Sequence, residues 1–165
     1  TKIKLTMRTS LTLLICLFTI TFGFTQNSIE SVLRKYKNDE GVISLNFKGD
    51  LSKFLNNDNK LKSTIEACEV LIFNANDGLS KSDQSKIKTA LAKDKYEMLM
   101  NVKDKKGKME LHAISKGDNL SKIYANVNAE NKNILVIFSG NLIFEELSKM
   151  NFDFEGGNMF KSFLD

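Results

Sequence analysis

The sequence predicts an α+β fold with a single mixed or antiparallel sheet of about six strands, a C-terminal four-strand meander, and helices mainly against one face. Three observations carry this. Between Tyr96 and Phe138, four segments with strand periodicity follow one another with only short polar turns between them. Two further strand-like runs, Val42–Phe47 and Glu66–Phe73, precede the meander. Between and before these lie segments with apolar residues at helical spacing.

The elements follow in order. Ser28 can cap a first helix whose Ile29, Val32, Leu33 and Tyr36 stand at i, i+3, i+4 and i+7, one stripe for the core. Asn38-Asp39-Glu40-Gly41 stops it, and Val42–Phe47 is the first strand. Gly49 ends that strand, and Asp50 can cap a short helix bearing Leu51, Phe54 and Leu55. The polar run Asn56–Lys62 leads to the second strand, Glu66–Phe73. Ser80 and Asp83 have capping-box spacing for a helix to about Lys93 with Ile87, Ala90 and Leu91 inward.

In the meander, Tyr96, Met98, Met100 and Val102 alternate with Glu97, Leu99, Asn101 and Lys103, the pattern of a half-buried strand. Asp104-Lys105-Lys106-Gly107 returns the chain antiparallel into Met109, Leu111 and Ala113, which alternate with Glu110, His112 and Ile114. Gly117-Asp118-Asn119 turns into Leu120–Val127, and the polar run Asn128–Asn133 connects to Ile134–Phe138. That last segment is apolar at every position, which places it centrally with both faces covered.

Lys2, Lys4 and Arg8 precede an uncharged run centred on Leu11–Phe22, followed by small residues before Gln26. This is the layout of a secretory signal peptide over residues 1–25, within which Met7 is a candidate natural start. The apolar run is shorter than the ~20 residues that span a bilayer. Residues 26–165 then form one α+β domain, of which 151–165 is a Phe-rich tail. The expected location is the periplasm or cell envelope.

Removing the leader changes the charge balance from 24 basic and 20 acidic residues to 21 and 20. Arg34 is the sole arginine left, so the bidentate guanidinium contacts that read phosphates and bases are scarce and nucleic acid is not an expected partner. Lys103, Lys105, Lys106 and Lys108 cluster at a hairpin and read as a solvated turn guarding a strand edge. Cleavage also removes Cys16, leaving Cys68 without an intramolecular disulfide partner and on the same strand face as Val70 and Ile72, an inert buried thiol.

His112 is the lone histidine, which rules out a multi-histidine metal site or histidine dyad within one chain. His112 and Glu110 share a strand face; Glu66/Glu69 and Glu145/Glu146 read as surface charge. No Walker loop, nucleophile elbow or dinucleotide-binding glycine pattern is present. No catalytic, metal or cofactor-binding residue is assigned, and no cofactor is expected. The tail's phenylalanines either dock onto the domain's own core or, loosened by Gly156-Gly157, form an amphipathic segment whose candidate partner-binding residues are Met159, Phe160, Phe163 and Leu164. The pattern F-x-G-[DN]-L occurs twice, at Phe47–Leu51 and Phe138–Leu142. Each copy reads as a strand end where glycine turns the chain and Asp50 or Asn141 caps a following helix.

Three stretches carry a family resemblance: Lys35-Tyr36-Lys37-Asn38-Asp39-Glu40-Gly41-Val42, Tyr96-Glu97-Met98-Leu99-Met100, and Ser139-Gly140-Asn141 before Leu142. With these the chain resembles, over roughly Ile29–Met150, the exported proteins grouped as domain of unknown function 4252. The resemblance implies an envelope protein of Gram-negative bacteria, often lipid-anchored in that family, and gene neighbourhoods with alternative sigma factors and their regulators. It brings no catalytic residues. The expectation is therefore an exported non-catalytic envelope protein that binds a protein partner or small ligand, accessory to envelope signalling, with membrane contact through the leader or tail. The alternatives are a hydrolase with a nonstandard carboxylate site and a carrier of an apolar ligand.

Overall fold

A computed structural model describes residues 28–51, 61–74, 78–103, 105, 107–129, 132–150 and 157–158. Helix α1 spans Ile29–Leu33, capped by Ser28, whose hydroxyl accepts from the Ser31 N–H at 3.2 Å. At five residues it is too short to persist by propensity and is held by packing. The chain turns at Arg34-Lys35 and resumes as a 3-10 turn over Tyr36–Asn38. The expected stripe survives this break, since Ile29, Val32, Leu33 and Tyr36 are all buried.

Strand β1 (Val42–Lys48) follows, then β2 (Thr64–Asn74), helix α2 (Lys81–Lys93), β3 (Glu97–Lys103), β4 (Gly107–Lys116), β5 (Asn119–Ala129) and β6 (Lys132–Leu142). A 3-10 segment, Phe144–Lys149, closes the series. The described residues form one six-stranded sheet of order β1-β2-β6-β5-β4-β3, antiparallel throughout. The expected meander is β3 to β6. Its last strand sits between β2 and β5, which is why Ile134–Phe138 is apolar on both faces.

The faces differ in chemistry. On one, Val70, Ile72, Ile123, Val127, Val136 and Phe138 belong to a core that also takes Leu147 and Met150 from beyond β6. On the other, Leu71, Phe73, Tyr124 and Leu135 meet α1 and α2 through Leu33, Tyr36, Ile87 and Leu91. Both helices thus lie on one face, as the sequence implies. Cys68 is buried in the core on the face opposite α1 and α2, beside Val70. Burial and the negative charge of Glu69 push its thiol up to about 12, so it stays protonated and inert at neutral pH.

Three local expectations are corrected. The simple alternation of β3 fails because the ladder shifts between Met98 and Met100: Met98 pairs with His112, whereas Met100 pairs with Leu111. Tyr96 accordingly packs with the helix-side core and Met100 and Val102 with the opposite one. A β-bulge puts an extra residue in one strand and so reverses which side chains face which side. Second, the polar run Asn128–Asn133 is mostly strand, for Asn128 pairs with Asn133 and Ala129 with Lys132. Third, Asn141 is not a helix cap. β6 continues through Gly140 to Leu142, Asn141 Oδ1 accepts from Asn119 Nδ2 at 2.9 Å, and the 3-10 turn starts after Ile143. The short helix expected after Asp50, with Phe54 and Leu55, lies outside the described residues.

The paired F-x-G-[DN]-L pattern has a structural counterpart. Phe47 of β1 and Phe138 of β6 both sit opposite Cys68, one on each side of β2. Beyond them, Gly49 N–H donates to Glu66 O at 2.8 Å and Leu51 N–H to Ile65 O at 2.9 Å, while Gly140 pairs with Ile65. The two copies therefore run parallel to each other and flank the start of β2 at matching registers. Gly49 (φ 109°) and Gly140 (φ 153°) both occupy backbone that side-chain-bearing residues rarely adopt. At Gly140 a Cβ would also collide with the Thr64 carbonyl.

Candidate ligand cleft

Helix α2 is fixed at its N-terminus by Asp83. Ser80 Oγ accepts from the Asp83 N–H at 3.1 Å, and the Asp83 carboxylate accepts from the Ser80 hydroxyl at 2.7 Å and the Tyr36 hydroxyl at 2.6 Å. Lys35 Nζ lies 2.5 Å from the same carboxylate and Lys86 Nζ 3.3 Å. Hydrogen bonds from Lys35, Tyr36 and Ser80 hold this buried acid well below the usual carboxylate range. One carboxylate thereby ties α2 to the 3-10 turn after α1.

Where α2 lies over the sheet it leaves a cleft of about 260 Å³ beside the β5–β6 hairpin. Its helix wall is Gln84, Ile87, Lys88 and Leu91; its sheet wall is Lys108 and Glu110 of β4, Tyr124, Asn126 and Asn128 of β5, and Lys132 and Asn133 of β6. Strand alternation explains the contrast with the face behind it. Asn126 and Asn128 alternate with the buried Ala125, Val127 and Ala129, so the residues facing α2 are polar while their neighbours are apolar.

Within the cleft, Lys108 Nζ lies 2.5 Å from Glu110 Oε1. That hydrogen bond is the largest influence lowering the Glu110 carboxyl, opposed by burial and assisted by the charges of Lys108 and Lys88. Burial pushes the Tyr124 hydroxyl far up, so it is a neutral donor at physiological pH. Asn133 Nδ2 donates to Asn126 Oδ1 at 2.9 Å. The Asn133 Oδ1, on a residue only 7% exposed, has no hydrogen-bond partner among the described residues. A buried polar atom without a partner costs about 1–3 kcal/mol, so such atoms mark places where a further group belongs. Three lysines against one glutamate make the lining cationic.

A second cleft of about 390 Å³ opens at the opposite end of the strands, between Ser28–Glu30 and the β2 and β6 residues Glu69, Ile137 and Ser139. Its charges balance, with Glu30, Glu69 and Asp94 against Lys37, Lys48 and Lys122, and Lys37 Nζ reaches Glu69 Oε1 at 2.8 Å. Glu69 Oε1 is buried and accepts no hydrogen bond among the described residues, but the Lys37 ammonium beside it neutralises its charge, while Lys37 Nζ donates to Glu69 Oε2 at 2.8 Å. Geometry and charge therefore favour the first cleft as the binding site, although it is smaller.

The sequence-derived candidates fare unevenly. Met159, Phe160, Phe163 and Leu164 lie outside the described residues; just before them, Gly157 and Asn158 are helical and Gly157 is buried. Glu110 and His112 do share a face, but the Glu110 carboxylate is engaged by Lys108, and His112 lies across from Tyr124 with ring centroids 6.2 Å apart. Burial lowers the His112 pKa, against the charge of Glu110, so its imidazole is neutral at pH 7. Glu146 is structural: burial raises it, yet N–H donors from Lys62 and Ser63 and the Ser63 hydroxyl leave it lowered overall. Lys108, which the sequence groups with a solvated turn, lines the cleft. Asn126, Asn128 and Asn133 were overlooked; the signal available was their polarity at alternate positions of otherwise apolar strands.

Among the described residues no cluster of His, Cys, Asp and Glu could hold a metal ion, and no helix is long and apolar enough to cross a membrane. A family model described as a domain of unknown function (DUF4252) matches residues 36–150. No curated protein and no solved structure matches the chain.

Proposed function

For a chain that belongs to the DUF4252 family, we propose an exported, non-catalytic role in the cell envelope: binding a small hydroxylated anion in the cleft between α2 and the β4-β5-β6 face. The observation that carries this reading is the buried, unpartnered Asn133 Oδ1 in a lysine-rich cleft. A hydroxyl both donates and accepts, so it satisfies this amide in either orientation of its oxygen and nitrogen. The lysines supply attraction for a carboxylate or phosphate on the same molecule. At about 260 Å³ the cleft falls below the roughly 300–1,000 Å³ of drug-sized sites, which suits a molecule the size of one sugar acid.

The polar lining supports this over an apolar carrier, because an apolar ligand would strip water from the lysine ammonium groups and leave the Asn133 amide oxygen unsatisfied. It also supports binding over hydrolysis. A general acid needs a carboxyl raised toward neutral pH, and Glu110 is lowered. Export rests on the basic-then-apolar leader. Native mass spectrometry of the protein recovered from its own envelope tests the function: the expected result is a small acidic adduct on the wild type that is missing from Asn133→Leu. Wild-type protein carrying no adduct, or an adduct that Asn133→Leu retains, would overturn the assignment.

A further inference from the structure

The two edges of the sheet are not alike. Strand β3 is broken by the register shift between Met98 and Met100 and bears Glu97 and Lys103 near its ends, features that discourage pairing with another strand. Strand β1 has no such break and is charged at one end only. It pairs with β2 over seven consecutive residues without irregularity, contains no proline, and carries a single charge, Lys48, at its last position. On the face opposite α1 and α2 it presents Ile43 at 44% exposure and Phe47 at 43%, with Leu45 between them.

The order of residues along β1 is complementary to itself. In an antiparallel pair of two β1 strands centred on Leu45, Ile43 of each copy faces Phe47 of the other, Ser44 faces Asn46, and Leu45 faces its own counterpart. Apolar residues then meet apolar residues on one face, and polar residues meet polar residues on the other. Lys48 falls opposite Val42, so the one charge on the strand is never set against its own copy. A shift by one residue would put apolar side chains opposite polar ones.

We infer that β1 is a docking edge for a second copy of this chain, joining two six-stranded sheets across a twofold axis at Leu45. The twofold makes the contact self-limiting, because each molecule uses the same edge and the bulged β3 edge ends the sheet on either side. Ile43 and Phe47, exposed in one molecule, cover each other in the pair. The ligand cleft lies on the other side of the sheet's midline and is left open.

Sedimentation of the protein expressed from the full chain tests this with two variants that differ only in charge pattern. The register places position 43 opposite position 47, so Ile43→Lys with Phe47→Lys sets like charges together, whereas Ile43→Glu with Phe47→Lys sets opposite charges together. Wild type and the Glu/Lys variant are expected to sediment as dimers and the Lys/Lys variant as a monomer, with similar thermal melts. Wild type that stays monomeric at every concentration, or two variants that behave alike, overturns the proposal. Should either variant misfold, hydrogen exchange on the wild type decides: β1 amides that slow as concentration rises support the pairing, and concentration-independent exchange refutes it.

Discussion

Replacing Asp83 by alanine removes the acceptor that joins α2 to the turn after α1. Lys35 and Lys86 are 60% and 48% exposed, and ion pairs with such side chains contribute only about 0–1 kcal/mol. The bonds from the Tyr36 and Ser80 hydroxyls, at 2.6 and 2.7 Å, are of a different kind. Each is a hydrogen bond to a charged group, worth roughly 1.5–3 kcal/mol, although the Ser80 hydroxyl recovers part of its share from water. Alanine returns a few tenths of a kcal/mol in helix propensity. The expected net loss is about 2–4 kcal/mol, which for a domain of this size lowers Tm by roughly 7–14 °C. Circular dichroism melts of wild type and variant measure it directly. The acid side sets the sign of the pH effect. Because the folded carboxyl is held below its unfolded value of about 3.9, its contribution is complete above that value and is lost as pH falls toward the folded pKa. The gap in Tm between wild type and Asp83→Ala should therefore be widest near neutral pH and narrow below about pH 4. A variant melting within the error of wild type at pH 7, or a gap that widens on acidification, would refute the reasoning.

Gly140→Ala should destabilise by about 3 kcal/mol or more, because it demands an unfavourable φ and drives a Cβ into the Thr64 carbonyl, and a urea titration will show it. Cys68 should resist a thiol reagent at pH 8 until the protein is unfolded, as a buried thiol with a pKa of about 12 requires; rapid native reaction would contradict its placement. N-terminal sequencing of protein from the periplasm or envelope should begin near Gln26, and an intact leader there would count against export. Deleting Asn158–Asp165 separates two roles for the tail: unchanged melting with lost partner recovery marks recognition through Phe160 and Phe163, and a marked fall in Tm marks core.

Periodicity made most of this fold legible. Alternation located the strands, the unbroken apolar run Ile134–Phe138 identified a central strand, and Ser80 with Asp83 fixed where α2 begins. What alternation could not show was a bulge, because the extra residue near Leu99 leaves composition unchanged while reversing the facing of Tyr96 and Met98. The cleft was hidden for a related reason. Asn128 and Asn133 look like loop residues in a one-dimensional reading, and only the register that pairs them reveals a polar wall facing a helix. Lys88 joins that wall from α2, a contact between residues far apart in the chain that no local pattern encodes. The repeated F-x-G-[DN]-L motif was visible as a pattern, but its meaning lay in the third strand, β2, that stands between its two copies.

The binding claim stands or falls on the side-chain amides of the cleft. Titrating glucuronate into isotopically labelled protein, with glucose as the neutral counterpart, while following the NMR signals of the Asn126, Asn128 and Asn133 amides is the most direct measurement. Saturable shifts are expected at Asn133 and Asn126 with the acid, weaker shifts with glucose, and loss of the response when Lys88 and Lys108 are both replaced by glutamine. Amide signals that stay unmoved by the acid, or shifts confined to the residues around Glu69 and Tyr96 in the second cleft, would contradict it.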